Sequence, residues 1–173
     1  MQDNNIDPHR LQQQYWNEMV NLKSSASYSR LFRDRQGRWV TALSALKAIA
    51  SSGAIAGWVI WKQWAFCWAA VIAVAQVADA LKDVFPFTQR HKAASELVLT
   101  LDRLLIDVQF EWESIFQARY SEDEISERIH QLRKLQLEAV NRYFPHGLDQ
   151  NKKLLAIARN SAALYFESIY GIH

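Results

Sequence analysis

Apolar residues recur every three or four positions through most of this chain, and nowhere alternate for long enough to make a strand. Asp7-Pro8 reads as a helix start, with Asp7 as N-cap and Pro8 at the first helical position, where its missing N–H is not needed. Leu11, Tyr15, Met19 and Leu22 follow at four- and three-residue spacing, which predicts an amphipathic helix ending near Ser24-Ser25. A short helix or bend with Tyr28, Leu31 and Phe32 then leads into Arg30, Arg33, Arg35 and Arg38.

From residue 39 the pattern changes. Residues 39–61, WVTALSALKAIASSGAIAGWVIW, carry one charge, Lys47, and residues 64–81, WAFCWAAVIAVAQVADAL, carry only Asp79. Lys62 and Gln63 separate the two runs, a length suited to a tight helix–helix turn. Pro86 marks a break, and three amphipathic helices follow. The first runs over about 88–119 with Leu97, Leu101, Leu104, Val108, Trp112 and Ile115 as its stripe. The second opens on Ser121-Glu122-Asp123-Glu124, a capping box, and carries Ile125, Ile129, Leu132, Gln136, Ala139 and Tyr143 to a stop at Pro145-His146-Gly147. The third takes Asp149 as N-cap and carries Leu155, Ala158, Ala162, Tyr165 and Ile169 to Gly171. The expected fold is all-α in three parts. Residues 1–38 form an amphipathic helix and a basic segment, 39–84 a helical hairpin (about 40–61 and 64–83), and 85–173 a helical domain.

The mean hydropathy is slightly negative, but that average hides a segregation of charge away from the two apolar runs. Four features predict that the hairpin spans a bilayer, with both termini and the helical domain on the cytoplasmic side of a bacterial inner membrane. Folding about residues 62–63 places Trp58, Trp61, Trp64 and Trp68 at the tip and Trp39, Phe85 and Phe87 at the open end, the two levels where amphipathic aromatic rings settle. Arg30, Arg33, Arg35 and Arg38 crowd the open end, where headgroup or phosphate contact and the positive-inside rule both account for them. Lys47 and Asp79 fall at matching depth, so that each offsets the cost of the other in hydrocarbon, ~3 kcal/mol apiece. Gly53 and Gly57 form a GxxxG element, and Ala65, Ala69 and Ala73 repeat at every fourth position, both suited to close helix packing in lipid. With Ser51, Ser52 and Gln76, the Lys47–Asp79 pair either glues the hairpin or lines a lumen between several copies. A soluble bundle with this hairpin as its core, and a non-conducting anchor that recruits a partner, are the alternatives.

Composition narrows the function. Half the residues are apolar and 12% aromatic, which excludes disorder for most of the length. A net charge of +2 is too small to imply nucleic acid. The single cysteine, Cys67, offers neither disulfide nor metal site, and the polar N-terminus has no signal-peptide core. His9, His91, His130, His146 and His173 share no ligand spacing, and no HExxH, CxxC, GxSxG or phosphate-binding glycine loop is present. Asp102, Asp107, Glu111 and Glu113, interleaved with Arg103, read as a solvated face. The expectation is a protein that is not an enzyme and takes no cofactor or metal.

The leading amphipathic helix, the basic lead-in SRLFRDRQGRW, the closely spaced hairpin and the long helix beginning FPFTQRHKAASELVLTLDRL together resemble the SLATT family of bacterial two-transmembrane effectors, over about Leu11 to Phe144. The resemblance implies a membrane effector of anti-phage immunity. In that reading a sensor protein or nucleotide signal triggers homo-oligomers to permeabilise the membrane, and the infected cell stops growing or dies. The family brings no catalytic residues to carry over.

Overall fold

The computed structural model describes residues 8–60, 65–80 and 87–171, and the side chains of residues 8, 49–60, 65, 67, 68, 71, 78 and 79 lie outside that description. The described chain is five helices, α1 (Pro8–Ile60), α2 (Ala65–Ala80), α3 (Phe87–Phe116), α4 (Glu122–Tyr143) and α5 (Lys152–Tyr170), with no strand among the described residues. The fold is all-α. It divides into two compact units, one of Met1–Phe32 with Ala93–His173 and one of Arg33–Lys92.

In the first unit, the N-terminal part of α1 is the element the other three helices share. Leu11, Tyr15, Met19, Leu22 and Ala26 are buried along one stripe. From Leu22 to Ser29 the burial extends to every face: all of these side chains are buried except Ser25, which is half-buried. The helix therefore does not stop at Ser24-Ser25, as the pattern predicts, but continues through it. The residues there are small or paired. Ser29 Oγ donates to the Ser25 carbonyl at 2.9 Å, and Gln136 Nε2 on α4 donates to Ser25 Oγ at 2.9 Å. The Lys23 ammonium lies 3.5 Å from the centroid of the Tyr165 ring on α5. Burial pushes the Lys23 pKa down, the nearby Arg30 pushes it further, and Asp102 opposes both. Three helices packed on short side chains outweigh serine's weak helix preference.

Around that centre α3 buries Leu97, Val98, Leu101, Leu105, Val108 and Ile115, with Leu104 and Trp112 half-buried, and α4 buries Ile125, Ile129, Leu132 and Ala139. The capping box on α4 is present: Ser121 Oγ accepts from the Glu124 N–H, and Glu124 Oε2 accepts from the Ser121 N–H at 2.8 Å. After α4 the chain turns through Gly147, whose φ of +83° suits a residue without a Cβ. The start of α5 departs from expectation. Its N-cap is Asn151, whose side chain accepts from Lys153 N at 3.0 Å and Leu154 N at 3.2 Å, and not Asp149. The reason is Tyr28, whose hydroxyl donates to the Asp149 carbonyl and accepts from Asn151 N–H at 2.9 Å, pinning this loop before the helix begins. The buried face of α5 is Ala158, Ala162 and Phe166, with Ile169 exposed, because Trp16 packs on the rings of Phe166 and Tyr170 at 5.1 and 5.2 Å.

One polar knot ties three of these helices. Glu111 on α3 accepts from the Tyr15 hydroxyl at 2.9 Å and from Arg128 of α4 at 2.6 Å. Arg128 in turn lies 4.1 Å from the Tyr120 ring centroid. Burial, then the Glu111 charge, raises the Tyr15 pKa far above the usual phenol range, so it stays a neutral donor.

Candidate functional site: an exposed apolar helix

Helix α2 reads AFCWAAVIAVAQVADA and contains neither glycine nor proline, so its alanine-rich sequence favours helix throughout. Its polar residues are Gln76 and Asp79. A helix this apolar normally lies inside a protein or in lipid. Here Phe66 is 86% exposed, and Ala69, Ala70, Ala73, Val74, Val77 and Ala80 are exposed as well. At about 100° per residue these positions make an arc of roughly 160° in which Gln76 is the polar member. On the other side Ala75 is buried and Ile72 half-buried. A contiguous uncharged surface of this kind marks a face that something other than water covers.

The remaining sequence-predicted residues divide. Trp39 is exposed, and its ring stacks on Phe87 at the start of α3, with centroids 6.4 Å apart and planes 22° from parallel. Next to it α1 passes close to α3. A Cβ added at Gly37 would sit 3.2 Å from the His91 ring, so glycine there admits the imidazole. Gln36 is buried beside it, with an Oε1 that has no partner among the described residues. Neither Gly37 nor Gln36 was singled out from sequence; an isolated glycine inside a helical pattern is the signal that points to such a close approach. Lys47 and Gln76 are exposed. The side chains of Ser51, Ser52, Gly53, Gly57, Trp58, Ala65, Trp68 and Asp79, together with residues Trp61, Lys62, Gln63, Trp64 and Phe85, lie outside the described set.

The four arginines do not act as one cluster. Arg30 is paired with Asp102 at 2.6 Å, and Arg33 with its neighbour Asp34 at 2.8 Å. Arg35 and Arg38 are exposed and make no ion pair among the described residues. The acidic residues of α3 are also divided, since Asp102 meets Arg30 while Glu111 meets Arg128. Among the described residues no group of three or more His, Cys, Asp or Glu side chains has a metal-holding arrangement. Also among the described residues, no helix is long and apolar enough to cross a membrane. No family model, curated protein or solved structure matches this chain.

Proposed function

We propose that residues 39–84 form a membrane-inserted helical hairpin. It anchors the four-helix unit at the cytoplasmic face of a bacterial inner membrane, where copies assemble through their hairpins and permeabilise the bilayer. The observation that carries this reading is the α2 arc of Phe66, Ala69, Ala70, Ala73, Val74 and Val77, apolar and uncovered. The first unit has its own core, from Leu11 and Tyr15 on α1 to Ala158 and Phe166 on α5, which favours a peripheral role for α2 over the role of a soluble core. Exposed Arg35 and Arg38 supply positive charge suited to anionic headgroups next to such a hairpin. The defence setting, with a sensor protein or nucleotide signal as trigger, rests on the resemblance to two-transmembrane effectors of the SLATT type.

Fractionation tests the insertion. The full chain expressed in bacteria should sediment with membranes, resist alkaline carbonate and dissolve in detergent. A monodisperse particle in the detergent-free supernatant would overturn the reading. Dye uptake by the same cells tests permeabilisation, because assembled hairpins should admit a small membrane-impermeant dye once the trigger is present. Membranes that stay tight under full activation, with activity surviving exchange of 39–84 for an unrelated hairpin, would leave an anchor and remove the effector.

A further inference from the structure

The core side of α3 is built from Leu97, Leu101, Leu105 and Val108, and its opposite side carries Leu99, Ile106 and Phe110, the last two 66% and 76% exposed. At about 100° per residue these three lie within roughly 40° of one another, directly away from the core. Arg103 and Glu113 are exposed on the same strip, and Gln117 is exposed in the turn that directly follows the helix. The positions 99, 103, 106, 110, 113 and 117 step by four and three, the spacing of a helix–helix seam. Arg103 and Glu113 make no ion pair among the described residues. They cannot pair within one helix, because ten residues separate their Cα atoms by about 15 Å.

The order of charges along the strip selects what covers it. A second copy laid parallel would set Arg103 on Arg103 and Glu113 on Glu113. Laid antiparallel about the level of Val108, the same strip is complementary to itself. Arg103 then meets Glu113 of the second copy, Ile106 meets Phe110, Leu99 meets Gln117, and each layer recurs in reverse as a two-fold contact requires. We infer that two copies of this chain pair antiparallel along this face of α3, with two Ile–Phe layers enclosed between two Arg–Glu layers. The contact is small, so the pairing is reversible and responds to local concentration. It stands on α3 alone, and its failure would leave the membrane reading untouched.

Sedimentation of the full chain in a mild detergent over a concentration series tests it. Arg103→Glu and Glu113→Arg should each weaken self-association by about tenfold or more, since each places like charges in both flanking layers. Mixed in equal amounts, the two variants should recover wild-type association, because every layer is then opposite in sign, and the double reversal should recover it in one chain. Single variants that associate like wild type, or a mixture and a double reversal that both stay weak, would overturn the pairing. A second measurement reads register directly. In a Cys67→Ser background, Ile106→Cys chains should form disulfides with Phe110→Cys chains faster than either forms with itself. A disulfide from Ile106→Cys to Cys67 of another copy, when Cys67 is kept, would mean that the hairpin covers this face, and the inference fails.

Discussion

Ala118 holds a backbone conformation that costs a side chain something. Its φ of +53° is left-handed, in the turn where Ala118 N donates to the Ile115 carbonyl at 3.0 Å and Arg119 N to the Ser114 carbonyl at 3.1 Å. Glycine occupies that region without the Cβ penalty, though it brings more freedom to the unfolded chain. The balance predicts that Ala118→Gly stabilises the protein by about 0.5–1 kcal/mol in denaturant unfolding. Tyr15 is the opposite case, a side chain whose polar end is fully used. Tyr15→Phe keeps the packing and leaves Glu111 short of one donor, for an expected loss of about 1–3 kcal/mol. Because burial raises the folded pKa of Tyr15, its contribution is complete below the ordinary tyrosine pKa of about 10 and is lost as pH rises beyond it. The Phe variant should therefore show a shallower alkaline decline of stability. Neither residue could be singled out from sequence for these roles. Tyr15 and Glu111 are 96 positions apart, and a long-range pair leaves no spacing signal.

Helix ends were readable where their chemistry is local. Ser121 and Glu124 announce the start of α4 because a capping box is local chemistry, complete within four residues. Glu124 accepts from the Ser121 N–H and, next, its hydroxyl, and both hold its pKa below the usual carboxylate value. That contribution is in place above the ordinary glutamate pKa and is lost as pH falls through the lower folded one. Glu124→Gln should accordingly flatten part of the acid limb of a stability–pH curve between about pH 5 and 3. The start of α5 was misplaced because Tyr28, distant in sequence, claims Asp149 and passes the cap to Asn151. In helix α2 the apolar composition is plain in the sequence, and the exposure of Phe66, Ala69, Ala70, Ala73, Val74 and Val77 is what the structure adds. Within the membrane reading, Val74→Lys puts a charge in its exposed arc at ~3 kcal/mol near mid-bilayer, and the variant should shift from the membrane pellet to the supernatant. Retention equal to wild type would place that arc against something other than lipid.

At the scale of the molecule, the all-helical class was legible because helical period and good helix formers agree along nearly the whole length. The inward faces of α3 and α4 were legible for the same reason. Less legible was that the serine-rich stretch after Leu22 is the middle of a helix enclosed on every side, since a polar segment reads as a surface when its covering helices are unknown. The same blindness applies to the close approach of α1 and α3, where Gly37 and His91 meet only through the fold. The enclosure of that stretch has a consequence in time. Residues 11–32 leave the ribosome well before the Tyr165, Phe166 and Tyr170 rings that close over Trp16 and Lys23. At about 5–20 residues per second, the intervening synthesis occupies on the order of ten seconds. For the later part of that interval the apolar middle of the chain is outside the ribosome while the domain built from its flanking segments is still open. Any factor that captures nascent apolar helices therefore meets that segment before folding of the domain can finish.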